Sequence, residues 1–274
     1  MMIHPTSLHR VDASQVQSKR DLLAFEEPLE IRLLQGQEEF PLLVTMRTPG
    51  HDRELSLGFL FCEGIITSMD DVLNAGPCAT AENVFKVQLR DDLQLDLDQS
   101  ERYGVSYSSC GVCGKTSLEK LKIVAPTQKL RGVCQSSTKR ETILKMSSAM
   151  RNEQQAFTLT GGIHACGIFD LQGELLSVYE DIGRHNALDK VLGQEFFRRQ
   201  TPLRERMIFL SGRASFELLQ KVAVAEVPIV VAAGAPSNLA VKVAEEFGIT
   251  LIGFLRNDSF NIYSHPQRVD GVLQ

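Results

Sequence analysis

Two cysteines three positions apart are the residues of this chain best suited to covalent chemistry. Cys110 and Cys113 lie in the run Ser-Ser-Cys-Gly-Val-Cys-Gly-Lys of residues 108–115, with a glycine after each thiol. Glycine has no Cβ and accepts positive φ, so this backbone can adopt shapes that other residues resist. The pattern favours a mobile, solvent-reachable loop that presents a thiol.

The residues after this loop favour a thiolate. Thr-Ser-Leu-Glu at 116–119 matches a capping box and predicts a short helix that runs to about Lys122. The unpaired N–H groups of a helix start attract anions, and Lys115 adds a cation beside them. Our hypothesis is that a cysteine of lowered pKa attacks sulfur or carries it.

Other interpretations of the cysteine pair remain open. Cys-x-x-Cys is half of a structural zinc site, although no second Cys-x-x-Cys completes the usual four ligands. A thioredoxin-type disulfide is the second alternative, but the motif precedes the clearest β/α alternation of the chain. A pair packed in the core is the third, and the flanking serines and glycines disfavour it. We predict no structural metal.

Composition indicates an ordinary globular protein. Of 274 residues, 43% are hydrophobic and 23% charged, and 29 basic against 34 acidic residues give a net charge of −5. This charge argues against a broad nucleic-acid surface. The amino terminus lacks the pattern of a signal peptide, and the longest apolar run, near 227–235, is too short to span a membrane. We therefore expect a cytoplasmic protein with no membrane partner.

In that reducing compartment the six cysteines are expected to be mostly free thiols. Cys62 and Cys166 sit in apolar surroundings, so we expect them to be buried as small hydrophobic residues.

The first half predicts a small mixed α/β subdomain. Residues 1–20 are polar and unpatterned, and we expect a flexible arm there. Strands are predicted at 29–34, 42–46 and 84–90, and a helix at 53–63. The last strand alternates apolar and polar residues, which favours a half-exposed antiparallel sheet. We assign 21–115 to this subdomain, with the thiol loop at 104–115.

The second half, 116–274, predicts an α/β domain. Strands and helices alternate along it, and such connections cross over right-handedly to give a mostly parallel sheet with helices on its faces. The predicted strands are 163–169, 175–179, 207–210, 229–232 and 249–255, and the predicted helices are 141–152, 186–197, a helix that contains 218–225, and 238–247.

Four loops follow the carboxyl ends of these strands, where open α/β sheets bind ligands. They are residues 180–186, 211–215, 233–238 and 256–259. The first three are small or glycine-containing and lead into helix starts, which bind phosphate through backbone N–H groups. Arg184, Arg213 and Arg256 add guanidinium groups suited to phosphate oxygens. The pattern favours a phosphorylated ligand such as a nucleotide.

The alternative is that the glycines only make tight turns and the arginines face solvent. The chain has no GxxxxGK[ST] motif and no strand-bound GxGxxG, so ordinary ATPase and NAD sites have little support. His164 and His185 lie near these loops and could transfer protons near neutral pH. For each histidine the alternative is a purely structural role, and this alternative has more weight for His164 than for His185.

Five ordered motifs together resemble the FdhD-type formate dehydrogenase accessory sulfurtransferases. The resemblance covers about residues 27–268, and its most specific run is Glu-Asp-Ile-Gly-Arg-His-Asn-Ala-Leu-Asp-Lys at 180–190. The other motifs are CGVCG at 110–114, TGGIHA at 160–165, SGRASFE at 211–217 and YSHP at 263–266.

This resemblance implies a function. Family members take persulfide sulfur from a cysteine desulfurase and pass it to the molybdenum cofactor, a bis-molybdopterin guanine dinucleotide that formate dehydrogenase requires. It also implies a cytidine-deaminase-like fold and a homodimer. The persulfide cysteine maps onto Cys110, with Cys113 as its partner, and GDP is a possible mimic of the bound cofactor.

The resemblance also implies a set of cofactor-binding residues. A family segment maps onto Phe254, Leu255, Arg256, Asn257, Asp258 and Ser259, and the strand-end residues expected beside it are His164, Arg184, His185, Ser211 and Arg213. In 254–259 this chain departs from the Lys-Pro-Gly-Arg pattern of the family, so backbone atoms and Arg256 are expected to keep the contact.

Deaminase chemistry is not expected. A zinc deaminase needs His-x-Glu followed by Pro-Cys-x-x-Cys. Here the Cys-x-x-Cys comes first, and His164-Ala165-Cys166 lacks the glutamate. Two other classes stay open beside the sulfurtransferase, namely a dithiol oxidoreductase and a non-catalytic chaperone of the cofactor.

Overall fold

A computed structural model describes residues 3–95 and 136–272 of the chain. Several predictions fall outside these residues: the thiol loop 104–115 with Cys110 and Cys113, the capped helix at 116–122, and the domain boundary at 115/116.

The first two strands form an antiparallel hairpin. Strands β1 (Ile3–Val11) and β2 (Val16–Ala24) pair from Ile3 with Ala24 to Val11 with Val16. Asp12 shapes the turn, because its Oδ1 accepts hydrogen bonds from the N–H groups of Ser14 and Gln15. The unpatterned arm expected at 1–20 is therefore wrong for residues 3–20. Neither face of this ribbon is fully buried, so its sequence shows no hydrophobic alternation.

A four-stranded sheet follows, in the order β4-β3-β6-β5. Its elements are β3 (Glu27–Gln35), β4 (Glu38–Arg47), helix α1 (Asp52–Cys62), β5 (Val72–Pro77) and β6 (Val84–Leu89). The three predicted strands and the predicted helix are confirmed, whereas β5 was not predicted. The sheet is mixed rather than antiparallel, because β6 runs parallel to β3 and antiparallel to β5.

The larger sheet has six strands in the order β13-β12-β11-β10-β8-β9. Its strands are β8 (His164–Asp170), β9 (Leu175–Asp181), β10 (Arg206–Leu210), β11 (Ile229–Ala232), β12 (Thr250–Gly253) and β13 (Asn261–Ser264). The helices are α2 (Arg140–Glu153), α3 (Gln155–Thr160), α4 (Arg184–Phe197), α5 (Phe216–Val224) and α6 (Asn238–Phe247). Strands β7 (Thr138–Lys139) and β14 (Val269–Asp270) form a separate parallel pair.

Strand directions decide where a site can form. Strands β9, β10, β11 and β12 run in one direction, and β8 and β13 run in the other. Four of six strands therefore point the same way, but only the pairs β10–β11 and β11–β12 are parallel and the other three pairs are antiparallel. The predicted mixed sheet is confirmed, with parallel pairing limited to its centre. Their carboxyl ends share one edge, and β8 begins at that edge.

Helices cover both faces of this sheet, as predicted for a three-layer α/β/α fold. Along β10, Met207 and Phe209 belong to the core on the α2 side, whereas Ile208 and Leu210 face α4, α5 and α6. This alternation follows from the two-residue period of a strand. The second half is thus an α/β layer domain.

The two sheets share one hydrophobic core through helices α1 and α4. Cys62 of α1 and Cys166 of β8 are both buried in it. Burial raises the pKa of each thiol well above its ordinary value. The prediction that these two cysteines are small core residues is confirmed. None of the helices in the described ranges is long and apolar enough to cross a membrane.

Candidate functional site

Loops from three neighbouring strands are joined by backbone hydrogen bonds at the carboxyl edge of the six-stranded sheet. Gly234 N donates to Gly212 O at 2.9 Å, and Phe254 N donates to Gly234 O at 3.1 Å. The loops after β10, β11 and β12 therefore form one surface. The predicted convergence of these strand ends is present in the structure.

Glycine is required where these loops approach each other. A Cβ on Gly234 would lie 2.9 Å from the carbonyl oxygen of Gly212, closer than real Cβ contacts. A Cβ on Gly212 would in turn lie 3.2 Å from Nδ1 of His164, the first residue of β8. Close backbone approach explains Gly234, whereas at Gly212 a Cβ would crowd the imidazole of His164.

The imidazole of His164 lies within electrostatic range of three positively charged residues. Its pKa is lowered, first by burial and then by the positive charges of Arg184 and His185, with a smaller contribution from Arg213. The negative charge of Asp181 opposes this shift. Arg184, His185 and Arg213, three of the predicted site residues, are thus within electrostatic range of a fourth, His164.

Ser211 has a structural role at this edge. Its Oγ accepts a hydrogen bond from Ala165 N at 2.8 Å, and Ser211 N donates to Ala165 O at 3.0 Å. This pair of bonds continues the β10–β8 pairing beyond the last strand residue and holds His164 beside the loop. Ser211 also lines a cavity beside His164.

The acidic residues of the 180–190 motif are used for structure. Both carboxylate oxygens of Glu180 accept hydrogen bonds from the start of α3, from Ala156 N at 2.8 Å and Phe157 N at 2.7 Å. Asp189 pairs with Lys221 of α5 at 2.8 Å, with both side chains buried. The first contact holds α3 to the end of β9, and the second joins α4 to α5.

Arg184 and His185 are the members of that motif available to a ligand. Nε of Arg184 is buried and has no hydrogen-bond partner among the described residues. Nε2 of His185 lies 2.8 Å from Oε2 of Glu217 and 3.5 Å from the Ser215 hydroxyl. Because a carboxylate only accepts hydrogen bonds, Nε2 of His185 is the donor to Glu217. Glu217 was not among the predicted site residues, although it lies in the Ser-Gly-Arg-Ala-Ser-Phe-Glu motif.

A cavity of about 400 Å³ opens beside His164. Its far wall comes from α2 and α3, where the guanidinium carbon of Arg151 lies 4.7 Å from the ring centroid of Phe157. Gly162, His164 and Ser211 form the near wall. Sequence reasoning missed Arg151 and Phe157, because the only signal on these helices was the apolar stripe that packs on the sheet.

The segment 254–259 reaches the same edge but divides there. Arg256 Nη1 donates to Ala233 O at 2.7 Å, which places this arginine on the loop after β11. Phe254 is exposed with a positive φ of 54°, whereas the Leu255 side chain is buried in the core. Any ligand contact by Leu255 would therefore be through its backbone.

The remaining residues of the segment, Asn257, Asp258 and Ser259, are exposed. Asp258 and Ser259 line a second, open cavity of about 950 Å³ together with Phe260, Tyr263 and Arg140 of α2. The segment thus separates into Phe254–Arg256 beside the strand-end loops and Asp258–Ser259 at a neighbouring groove.

A model of the FdhD/NarQ family matches residues 24–270. The sulfur carrier protein FdhD of Mycobacterium tuberculosis is 41% identical, with 96% of each chain covered. The protein of the same name from Saccharolobus solfataricus is also 41% identical over 96% of each chain. The chain therefore belongs to the FdhD/NarQ family.

One solved structure supports the fold. A putative formate dehydrogenase accessory protein from Desulfotalea psychrophila superposes with a TM-score of 0.78 at 22% sequence identity. The match covers 98% of this chain and 100% of that one. The arrangement of the described elements is thus that of a known structure over nearly its full length.

Proposed function

We propose that this protein is a sulfur carrier that matures a formate dehydrogenase. In this proposal Cys110 accepts sulfur from the persulfide of a cysteine desulfurase. The carrier then passes that sulfur to the molybdenum cofactor, a bis-molybdopterin guanine dinucleotide that is its substrate. The name of the relatives, sulfur carrier protein FdhD, supports the sulfur chemistry. The description of the similar solved structure as a putative formate dehydrogenase accessory protein supports the link to that enzyme.

The structural observation that carries the proposal is the cationic edge around His164. Arg184, His185 and Arg213 all act on its pKa, so the charges converge on one place. Nearby loops lead into the starts of α4, α5 and α6, whose N–H groups favour anions. The diphosphates of a guanine dinucleotide suit such a surface.

Arg184 supplies the most specific support for an anion at this place. A buried N–H without a hydrogen bond costs about 1–3 kcal/mol, and Nε of Arg184 is such a group among the described residues. A phosphate oxygen would satisfy it with a charge-assisted hydrogen bond. The exposed Phe254 and the backbone near Arg256 lie at the same edge and are candidates for further contact.

The sulfur step is an exchange at sulfur. The Cys110 thiolate attacks the terminal sulfur of the donor's persulfide, a new S–S bond forms on Cys110, and the donor cysteine leaves as a thiolate. No net oxidation occurs, because one sulfur–sulfur bond replaces another.

Release of the outer sulfur as sulfide consumes two electrons. If Cys113 resolves the persulfide, its thiolate attacks Sγ of Cys110, a Cys110–Cys113 disulfide forms and the outer sulfur leaves as sulfide. If Cys113 only assists release, reduced molybdenum of the substrate supplies the two electrons and Cys110 leaves as a thiolate. We expect the carrier to act as a homodimer in the cytoplasm.

Calorimetry with GDP tests the substrate site. Wild-type protein should bind GDP, and Arg184→Ala and Arg213→Ala should each weaken binding by about tenfold, the usual value of a charge-assisted hydrogen bond. Arg90→Ala is the control, because the Arg90 side chain is exposed and pairs with Asp92 after β6, in the four-stranded sheet. Equal affinities in all four proteins would refute the assignment of this edge.

Mass spectrometry after incubation with a desulfurase and cysteine tests the sulfur step. Cys110 should gain the mass of one sulfur atom, and Cys110→Ala should abolish both the gain and the maturation of formate dehydrogenase. Cys78→Ser is the background control, since Cys78 is a partly exposed thiol outside the proposed site.

The same measurement separates the two other classes. A dithiol oxidoreductase would need Cys110 and Cys113 equally and would form a reversible disulfide between them. A non-catalytic chaperone would deliver the cofactor with either cysteine replaced.

A further inference from the structure

Thr48 directly follows β4 in the first half of the chain, and its N–H, hydroxyl and carbonyl groups each contact the 180–190 motif. Its N–H donates to Oδ2 of Asp181 at 3.2 Å, and its hydroxyl accepts from Ile182 N at 3.1 Å. Its carbonyl oxygen accepts from Nζ of Lys190 at 3.0 Å. Thr48 is completely buried. One residue of the N-terminal half thus contacts the last residue of β9, the turn that follows it and helix α4.

Two further hydrogen bonds hold the same turn in place. Oδ1 of Asp181 accepts from Gly183 N at 2.8 Å, and Nδ2 of Asn186 donates to Met46 O at 2.7 Å. Arg184 and His185 follow directly. Their backbone is therefore fixed by buried hydrogen bonds, while the side chains reach the cationic edge.

The Thr48 hydroxyl has a distinct part in this arrangement. It is the acceptor for Ile182 N, two residues before Arg184. If the hydroxyl is removed, that amide loses its buried acceptor and the turn must shift to find another. Small displacements matter at a binding site, where about 1 Å can cost a hundredfold in function.

We propose that Thr48 is a positioning residue that sets the placement of Arg184 and His185. It does not touch the ligand and acts through the backbone of the turn. The proposal rests on the proposed function in one respect, that the ligand of this edge carries phosphate. The N-terminal half is thereby part of the site, although the predicted site residues with described positions all lie in the second half.

A purely structural role is the competing explanation, and Thr138 provides the matched control. Thr138 is also buried, and its hydroxyl donates to Leu171 O at 2.9 Å, away from the strand-end loops. Thr138→Val removes one buried hydroxyl bond, as Thr48→Val does, and should cost similar stability. Each variant loses one hydrogen bond of a buried hydroxyl, as acceptor at Thr48 and as donor at Thr138, and only the bond at Thr48 supports the turn.

The experiment compares Thr48→Val, Thr48→Ser and Thr138→Val at a temperature where all are folded. GDP binding by calorimetry should weaken about tenfold in Thr48→Val and remain near wild type in the other two. Amide NMR shifts should move at 182–185 in Thr48→Val alone. If Thr48→Val does not fold, Thr48→Ala removes the hydroxyl without placing a methyl group beside Ile182 N.

Two results would overturn the inference. In one, Thr48→Val and Thr138→Val bind GDP equally well and leave the 182–185 amides in place. In the other, Thr48→Ser binds as weakly as Thr48→Val, so that the hydroxyl is irrelevant. Failure of wild-type protein to bind GDP would instead count against the proposed function, and the amide shifts would still decide whether Thr48 positions the turn.

Discussion

Nζ of Lys190 lies 2.7 Å from Oδ2 of Asp181, and neither side chain has any exposed surface. Each member of this pair has further partners, since Asp181 also accepts from Gly183 N and Lys190 also donates to Thr48 O. Because every charge is compensated, the pair can exist in the core. The removal of one member would leave the other buried and unpaired.

We therefore predict that Lys190→Met lowers the free energy of unfolding by about 3–5 kcal/mol, the usual effect of breaking a buried ion pair. Urea titration followed by circular dichroism measures it. Lys242→Met is the control, because Lys242 is exposed on α6 and its loss should change stability by less than about 0.5 kcal/mol. A loss below 1 kcal/mol in Lys190→Met would contradict the assignment.

A second prediction concerns the contact between α1 and α4. A Cβ on Gly58 would lie 1.9 Å from Asp189 O, and a Cβ on Gly193 would lie 1.9 Å from Glu54 O. The two backbones touch, so either Gly→Ala substitution must separate helices that join the two sheets. Overpacking costs about 1–3 kcal/mol, and this backbone overlap lies at the upper end, so we expect each to lower the midpoint of thermal unfolding by about 6–12 °C or to prevent folding.

Gly76→Ala is the matched control for this contact. Gly76 lies in the edge strand β5, and no atom comes within 4 Å of a Cβ built there. Its substitution should leave the unfolding midpoint nearly unchanged. Equal midpoints in Gly58→Ala and Gly76→Ala would show that the helices can separate at little cost.

These contacts show why the sequence predicted the elements of the fold better than their assembly. Alternation at Phe85, Val87 and Leu89 predicted β6, and all three side chains are buried. The same alternation says nothing about which strand lies beside it, so the parallel pairing with β3 was missed. Strands β5 and β13 lie at sheet edges, where partial exposure weakens the periodic signal.

For the candidate site, the order of the elements predicted which loops meet, but not which helix residues lie beside them. Loops at the ends of parallel strands must share an edge, so the group around His164 could be expected from the order of elements alone. Arg151 and Glu217 could not, because each reaches the site through the packing of a helix. Within the 180–190 motif, Glu180 and Asp189 bind partners in other helices, whereas Nε of Arg184 has no hydrogen-bond partner among the described residues. These roles depend on residues distant in sequence, so the motif alone did not reveal them.

The third prediction concerns thiol reactivity. The hydroxyl and backbone of Thr80 hydrogen-bond to Cys78 and lower the pKa of its thiol, whereas burial raises the pKa of Cys62 and Cys166. A lower pKa gives more thiolate at neutral pH. Iodoacetamide should therefore label Cys78 in the folded protein and label Cys62 and Cys166 only after unfolding.

The pH dependence of labelling provides the check. The rate at Cys78, followed by peptide mass spectrometry, should reach half its maximum at a lower pH than for an ordinary thiol. Thr80→Val should move that point to higher pH and slow labelling at pH 7. If the Thr80→Val profile is unchanged, the hydroxyl does not stabilise the thiolate. This reactivity is the reason for including Cys78→Ser in persulfide experiments.

The fourth prediction links phosphate binding to protonation of His164. Burial and the charges of Arg184 and His185 lower the pKa of His164, so the free protein keeps this imidazole neutral below the ordinary pKa of about 6.5. The unfolded chain then binds more protons than the folded one. Stability should fall as the pH decreases through this range.

A bound phosphate reverses the balance of charge, because an anion favours the imidazolium and raises the pKa of His164. GDP binding at a pH just below the ordinary value should therefore take up protons, and affinity should increase as the pH falls. Calorimetry in two buffers of different ionisation enthalpy measures the number of protons. His164→Gln should abolish most of the uptake, whereas His9→Gln, on the exposed face of the hairpin, should not. If the uptake persisted in His164→Gln, the proton would have to bind elsewhere, and His164 would not face the phosphate.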